Sequence, residues 1–175
     1  ATVCAGQWLE VEAQPNDVFG DLTYHWQSGP LAVFEQLDVF GARYRVRWPN
    51  AAAGTQTLSL VLGRGVCETT ITRSLTVLAA PQVDAGSNAQ ICTGESLTLT
   101  ATAQNLPPGC TFEWVAHPSL SALNTPTPVA SPSQTTTYYV RLACVPCGSV
   151  LDSVTITVVP RPAFTLDAPV TRFCA

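Results

Sequence analysis

The sequence predicts an all-β protein in which β-sandwiches follow one another in tandem, and three observations lead to this fold class. Short segments alternate apolar and polar residues with a period of two, which is typical of half-buried strands. The chain of 175 residues repeats its own pattern, and it contains seven cysteines. So many cysteines in a chain of strands and turns indicate a disulfide framework and an oxidising compartment.

The composition argues against several classes of function. Charged residues make up 11% of the chain and hydrophobic residues 46%, and the net charge is −4. An acidic balance argues against a nucleic-acid partner. No apolar stretch approaches the ~18 residues that a membrane-spanning helix requires. All eight basic residues are arginine, so no lysine is present for Schiff-base chemistry. We expect a secreted, β-rich, non-catalytic chain with no membrane span.

The apolar alternation locates the strands. Leu58, Leu60 and Leu62 share one face of a strand, while Ser59 and Val61 share the other. Pro- and Gly-rich segments separate such runs as turns, and no stretch shows a helical period. Several short strands with a buried tryptophan on the third are typical of a sandwich. In the first repeat the predicted strands are residues 7–13, 22–27, 42–48, 55–62 and 70–78.

The internal repeat divides the chain. Cys4 precedes Trp26 by 22 positions, and Cys92 precedes Trp114 by the same number. The first cysteines of successive repeats, Cys4, Cys92 and Cys174, are 88 and 82 positions apart. We therefore expect Trp26 and Trp114 to be core residues. The predicted domains are residues 1–80, a repeat without its first strand; residues 81–161, a complete repeat; and residues 162–175, the first strand of a third.

The second repeat resembles a known family. It reads Ile91-Cys-Thr-Gly-Glu-Ser-Leu-Thr-Leu-Thr100, then Phe112-Glu-Trp114, then Thr135-Thr-Thr-Tyr-Tyr-Val140. These motifs are similar to the PKD-like and immunoglobulin-like repeats of giant secreted surface proteins of Bacteroidetes, typically adhesins or filaments exported by the type IX system. The resemblance implies immunoglobulin-like (PKD-like) sandwiches acting as a spacer, shaft or adhesive repeat, with no catalytic residues. The extra cysteines Cys110 and Cys144 depart from the common pattern.

Short linkers that contain proline join the repeats. They are Ala79-Ala-Pro81 and Pro160-Arg-Pro162. Proline stiffens a linker, and a short linker leaves little slack for folding back. The sandwiches are therefore expected to lie end to end.

The cysteines favour disulfides over zinc. Cys144-Val-Pro-Cys147 is a CxxC motif, but a structural zinc site needs a second such pair or two closely spaced histidines. The sequence has neither, since its only histidines are His25 and His117. We therefore expect no metal and no cofactor.

The repeat predicts a disulfide scheme. Cys4 and Cys67 recur as Cys92 and Cys147, so the predicted pairs are Cys4–Cys67 and Cys92–Cys147. Two cysteines gained together in one repeat predict the pair Cys110–Cys144, which leaves Cys174 unpaired within this chain. One difficulty remains for the recurrent pairs. In a plain immunoglobulin topology their two positions lie at opposite ends of the sandwich, beyond the ~4.4–6.8 Å between Cα atoms that a disulfide tolerates. Either the segment before the second strand crosses the sandwich, or these cysteines bridge neighbouring repeats.

Three arginines alternate along one strand. Arg43, Arg45 and Arg47 project from the same face. They form either an anion-binding stripe for an acidic polysaccharide or lipid headgroup, or cross-strand ion pairs with outward acids such as Glu10 and Glu12. We favour ion pairing because the second repeat lacks both the arginines and the acids.

Trp8 and Tyr139 are the candidate aromatic contact residues. Trp8 faces outward by the alternation, so it either stacks on a sugar ring or packs against a neighbouring repeat or chain. We favour packing for Trp8.

No motif for catalysis or metal binding stands out. His25 and His117 occupy unmatched positions in the two repeats, and no nucleophile, histidine and carboxylate are patterned as a triad. Asp84, Asp152 and Asp167 fall near repeat boundaries, where calcium is the alternative to ordinary turn aspartates. No acidic cluster supplies the six to eight oxygens that calcium takes.

The function predicted is a structural repeat of an extracellular bacterial filament or adhesin stalk. The alternatives are a carbohydrate-binding module and an accessory region of a large secreted hydrolase. Expected partners are neighbouring repeats of the same chain, or identical chains in a filament through donor-strand or lateral packing. A glycan is the partner under the carbohydrate alternative.

Overall fold

The computed structural model describes residues 1–14 and 21–165. Within them the regular elements are β-strands and a short 3₁₀ helix, Asn50–Ala52. The strands form two sets, one within residues 2–78 and one within residues 82–159, and each strand pairs only inside its own set. We call these sets the first unit and the second unit. The all-β fold class is confirmed.

The first unit has two facing sheets. The strands are β1 (Thr2–Cys4), β2 (Leu9–Glu12), β3 (Thr23–Gln27), β4 (Val33–Gln36), β5 (Arg43–Arg47), β6 (Gly54–Arg64) and β7 (Cys67–Leu78). One sheet has the strand order β1-β7-β6-β3 and the other the order β2-β5-β4. Leu58 of β6 and Leu75 and Val77 of β7 are buried in the core between the sheets. Val46 of β5 and Trp48, which follows β5, belong to the same core.

The second unit repeats this plan and has a further strand, β8 (Gln82–Asp84), ahead of its parallel strand. The other strands are β9 (Ala89–Cys92), β10 (Leu97–Thr98), β11 (Thr102–Gln104), β12 (Thr111–Trp114), β13 (Val129–Ala130), β14 (Thr136–Cys144) and β15 (Gly148–Val159). The main sheet has the order β12-β14-β15-β9, and two short pairs, β8 with β11 and β10 with β13, complete the unit. Trp114, Tyr138, Val140 and Ile156 form the centre of its core.

One strand of each unit runs parallel to the last strand of its sheet. β1 lies beside β7 with Cys4 opposite Leu78, and β9 lies beside β15 with Cys92 opposite Val159. The other pairs are antiparallel, and β6–β7 and β14–β15 form the long hairpins. In each unit the parallel strand and the last strand therefore end side by side, at the same end of the sheet.

The two tryptophans predicted for the core differ in burial. Trp114 is 1% exposed, whereas Trp26 packs only half-buried against the core of the first unit. Both lie on edge strands, but the loop after β12 closes over Trp114, whose indole N–H donates to Thr125 O at 2.9 Å. In the first unit the fully buried indole is Trp48, which follows β5, the central strand of its sheet.

Candidate functional site

Three residues, Ala79–Pro81, connect the units and are held from both sides. The Asn50 side chain of the first unit accepts a 2.6 Å hydrogen bond from Ala80 N. The Asn105 side chain of the second unit donates a 3.1 Å hydrogen bond to Ala80 O. Pro81 is buried. Since the backbone N–H and C=O of one linker residue, Ala80, are bonded to opposite units, the linker is part of the junction.

A disulfide joins the two units across this junction. Cys4 of the first unit is bonded to Cys147 of the second, with their Cα atoms 5.3 Å apart and 143 positions between them in sequence. Beside this disulfide, Gln7 Nε2 donates a 3.3 Å hydrogen bond to Pro146 O. The junction is therefore covalent and polar, and it lies where β1 and β7 end together.

This bond corrects the predicted recurrent pairs. Cys4–Cys67 and Cys92–Cys147 do not form, and Cys67 and Cys92 are free thiols. Cys67 begins β7 and Cys4 lies opposite its last residue. A strand of this length spans about 36 Å at about 3.3 Å per residue, several times the reach of a disulfide. The same distance along β15 separates Cys147 from Cys92. The bridge between neighbouring repeats is the alternative that the structure adopts.

The second disulfide lies inside the second unit. Cys110 is bonded to Cys144, with 4.1 Å between Cα atoms, so the pair expected from the sequence is the one the structure contains. It ties the segment before β12 to the end of β14, next to the hairpin that carries Cys147. It therefore anchors the turn end of the hairpin, from which Cys147 reaches the first unit. Cys174 lies outside the described residues.

The ends joined by Cys4–Cys147 give the order of the units. Cys4 lies at the end where the chain leaves the first unit. Cys147 lies in the β14–β15 hairpin, at the opposite end of β15 from Val159, where the chain leaves the second unit. The disulfide thus joins the end at which the chain leaves the first unit to the end of the second unit that is opposite its own exit. The two units are therefore joined head to tail.

The arginines of β5 are engaged within their own sheet. Arg45 Nη2 lies 2.7 Å from both carboxylate oxygens of Glu35, and Arg43 lies 3.8 Å from Glu10. The guanidinium carbons of Arg45 and Arg47 lie 4.6 and 4.5 Å from the centre of the Trp8 ring. The stripe is thus a ladder of ion pairs and cation–π contacts, and both arginines contact the Trp8 ring.

Sequence reasoning missed Glu35 because β4 was not predicted. Its run Val33-Phe-Glu-Gln36 alternates over only four residues. The signal available in the sequence was the β-branched and aromatic pair Val33-Phe34, residue types that favour a strand. Tyr139 lies on β14 of the second unit, opposite Ser153, and is 49% exposed. It therefore belongs to a different surface from Trp8.

The histidines do not assemble a triad. His117 Nδ1 lies 2.7 Å from Ser119 Oγ, which lies 2.5 Å from the Tyr138 hydroxyl. The third group is a phenol instead of a carboxylate, and the chain of hydrogen bonds holds the loop after β12 on β14. His25 is exposed on β3 of the other unit.

The boundary aspartates bind backbone amides. Asp152 Oδ2 accepts a 2.7 Å hydrogen bond from Ala85 N, and Asp84 Oδ1 accepts one of 2.8 Å from Gly86 N. In residues 1–14 and 21–165 no group of three or more His, Cys, Asp or Glu side chains is placed to hold a metal ion. Asp167 is outside these residues. The same part of the chain contains no helix with the length and apolarity needed to cross a membrane.

Three solved structures are among those similar to this chain. The insect immune protein hemolin is 12% identical over 91% of this chain with a TM-score of 0.48, and this chain spans 44% of its length. A chimeric titin Z1Z2 tandem is 14% identical over 91% of this chain and 94% of its own, with a TM-score of 0.40. An endo-fucoidan hydrolase of glycoside hydrolase family 107 is 14% identical over 92% of this chain and 27% of its own, with a TM-score of 0.38.

The search among curated proteins found no significant match. The family model of the CHU_C-associated Ig-like domain matches residues 79–160, which contain all strands of the second unit. The second unit is therefore an immunoglobulin-like domain.

Proposed function

We propose that this chain is a structural repeat segment of an extracellular bacterial filament or adhesin stalk. Its domains are residues 1–80 and 81–161, and residues 162–175 begin a third repeat. The observation that carries the proposal is the Cys4–Cys147 disulfide, which locks two sandwiches head to tail. A fixed junction between successive domains suits a shaft that holds something at a distance.

The disulfides support an extracellular location for the protein. Disulfides form and persist in oxidising compartments and are rare in the cytosol of most organisms. Two disulfides link four of the cysteines in the described residues. The junction is also held by the Asn50 and Asn105 side chains on the linker, so its geometry does not depend on the sulfur bond alone.

The carbohydrate-binding alternative has weaker support. Sugar rings stack on an open aromatic face, and Arg45 and Arg47 both lie over the ring of Trp8. Tyr139 has a half-exposed ring on the second unit. The other aromatic residue of β14, Tyr138, is buried, so β14 presents a single aromatic ring to a sugar. We therefore favour a shaft over a lectin.

Immunogold electron microscopy on intact cells that produce the protein tests the proposal. Antibody raised against this chain should label extracellular fibres or surface stalks without permeabilisation. Labelling only after permeabilisation would contradict it. A glycan array probed with the same chain provides the second readout, and saturable binding to one glycan class would favour the carbohydrate alternative.

A further inference from the structure

We propose that the disulfide of the observed junction recurs at the junctions on either side. Cys92 forms a disulfide with the hairpin cysteine of the immunoglobulin-like unit that follows, and Cys67 forms one with the strand-end cysteine of the unit that precedes. The proposal deepens the proposed function as a tandem repeat and rests on it. The partner in each case is a cysteine of another such unit.

Cys92 occupies the same structural position as Cys4. Each ends the strand parallel to the last strand of its unit, opposite Val159 and Leu78 respectively. The residue after each cysteine donates to that opposite carbonyl, at 2.9 Å from Thr93 and 2.8 Å from Ala5. Cys92 thus stands where the bonded cysteine of the first unit stands.

The turns after the two cysteines also match. Gln7 N donates to Cys4 O at 3.1 Å, and Glu95 N donates to Cys92 O at 3.0 Å. Between them lie Gly6 and Gly94, with φ of 82° and 84°, a left-handed conformation that favours glycine. The backbone turn that presents Cys4 to Cys147 therefore recurs after Cys92 at the exit end of the second unit, with Glu95, which accepts from Cys92 N, in the place of Gln7.

Cys67 matches Cys147 in its place in the long hairpin, because each follows the end of the preceding strand by three positions; Cys67 is the first residue of β7, and Cys147 immediately precedes β15. Cys67 pairs with Arg64 across the β6–β7 turn, and Cys147 lies between Cys144 and Gly148 in the β14–β15 turn. A fully exposed valine, Val66, precedes Cys67 at the tip. Cys67 is exposed and its thiol is free. The first unit thus has, at the end opposite the junction, an exposed hairpin cysteine equivalent to Cys147.

The two free thiols lie too far apart to bond to each other. Cys67 is at the far end of β7 from the junction, and Cys92 is beside the far end of β15. Each of these strands spans about 36 Å. Cys4 and Cys147 form a disulfide where the two units meet. Cys92 corresponds to Cys4 and Cys67 corresponds to Cys147, so each free thiol is equivalent to one partner of that disulfide. Each free thiol therefore requires a separate unit as its partner.

The bond forms by thiol–disulfide exchange with a disulfide oxidant such as oxidised glutathione or an oxidised dithiol oxidoreductase. The exposed Cys67 thiolate attacks one sulfur of the oxidant, forms a mixed disulfide and releases the first thiolate. The thiolate of the partner unit's cysteine then attacks the Cys67 sulfur and releases the second. Two cysteine thiols lose two protons and two electrons, and the oxidant is reduced to two thiols.

Peptide mapping of the native protein distinguishes the source of the partner. Thiols are blocked with iodoacetamide at lysis, and the protein is digested without reduction. We expect the Cys92 and Cys67 peptides to be cross-linked to cysteine peptides of other units. A chain mass unchanged by reduction places the partner in the same chain, whereas a mass that falls on reduction places it in a second copy. Recovery of both as blocked thiols would overturn the proposal.

Recombinant chains test the specificity, with Cys174→Ser in every variant so that Cys67 and Cys92 are the thiols under test. Cys67→Ser leaves Cys92 free, and Cys92→Ser leaves Cys67 free. In a redox buffer of reduced and oxidised glutathione, an equal mixture should give almost entirely mixed dimers joined Cys92–Cys67. Random thiol pairing would give as much mixed dimer as the two like dimers together, and that result would refute a specific junction. Small-angle scattering of each monomer still reports the head-to-tail shape, so failure here is distinguishable from failure of the proposed function.

Discussion

Cys4 lies opposite Leu78 in the parallel register of β1 and β7, so the sulfur that crosses to the second unit leaves from the last residue pair before the linker. The bond to Cys147 closes a loop that contains most of both units. A force applied to the ends of the chain therefore passes from β1 through the disulfide into β15. Residues between the two cysteines are bypassed.

The first prediction is a mechanical consequence of this path. Pulled from its ends, the oxidised chain should not release the residues between Cys4 and Cys147. Cys4→Ser combined with Cys147→Ser should release about 380 Å more contour length, at about 3.5 Å for each extended residue, because the Cys110–Cys144 disulfide still encloses 34 of the 143 positions. Single-molecule force spectroscopy measures the difference. Cys67→Ser is the matched control and should behave like the parent chain; equal extension in all three chains would contradict the load path.

The second prediction separates the two tryptophans of the first unit. Trp48→Ala should lower the free energy of unfolding by about 3–5 kcal/mol, because it empties a fully buried site. Trp26→Ala should cost about half as much, since Trp26 is only half-buried on an edge strand. Urea denaturation measures both. Trp48→Phe provides a milder variant, which keeps most of the apolar volume and loses the hydrogen bond to Ser28. A larger loss for Trp26 would refute this order.

The third prediction concerns a carboxylate that satisfies a buried amide. Ala85 is 1% exposed, and its N–H donates to Asp152. Asp152→Ala should lower the free energy of unfolding of the second unit by about 1.5–3 kcal/mol, because the buried N–H loses a charged acceptor. Asp84→Ala is the matched control, since Asp84 caps an exposed turn, and it should cost less than about 1 kcal/mol. Thermal melts that rank the two variants the other way would contradict this role.

The all-β class follows from sequence because side-chain alternation depends only on neighbouring positions. Leu58 and Leu60 both face the core, as their period of two requires. Trp26 shows the limit of the repeat. It has the same spacing from its cysteine as Trp114, but burial depends on the loop that covers the edge strand, and the loops of the two units differ.

The disulfide scheme could not be settled from sequence for a related reason. The repeat shows that Cys4 is equivalent to Cys92 and that Cys67 is equivalent to Cys147. Both pairing within a unit and pairing across a junction join one cysteine of each type, so the repeat alone does not distinguish the two schemes. The pairing scheme depends on the parallel arrangement of β1 beside β7, which places Cys4 at the end where the chain leaves the first unit. Cys110–Cys144 needed no such information, because both cysteines occur in one repeat and have no counterparts in the other. In the structure they lie next to the register pair Thr111 and Ala143 of one antiparallel ladder.

The last prediction tests whether the arginine ladder is a ligand site or a stabilising surface. Arg45 bonds both oxygens of Glu35 and lies over Trp8, and these side chains are partly exposed. Exposed ion pairs are worth about 0.2–1 kcal/mol and exposed cation–π contacts about 0.5–1 kcal/mol. Arg45→Ala should therefore lower the free energy of unfolding of the first unit by about 1–2 kcal/mol, less at high salt, as urea denaturation at two ionic strengths would show. Arg73→Ala is the control and should have a smaller effect, because Arg73 donates a 3.3 Å hydrogen bond to the carbonyl of its neighbour Thr72 and does not contact Trp8 or Glu35. An unchanged stability, together with saturable binding of a polyanion such as heparin that Arg45→Ala abolishes, would identify the ladder as a binding site instead.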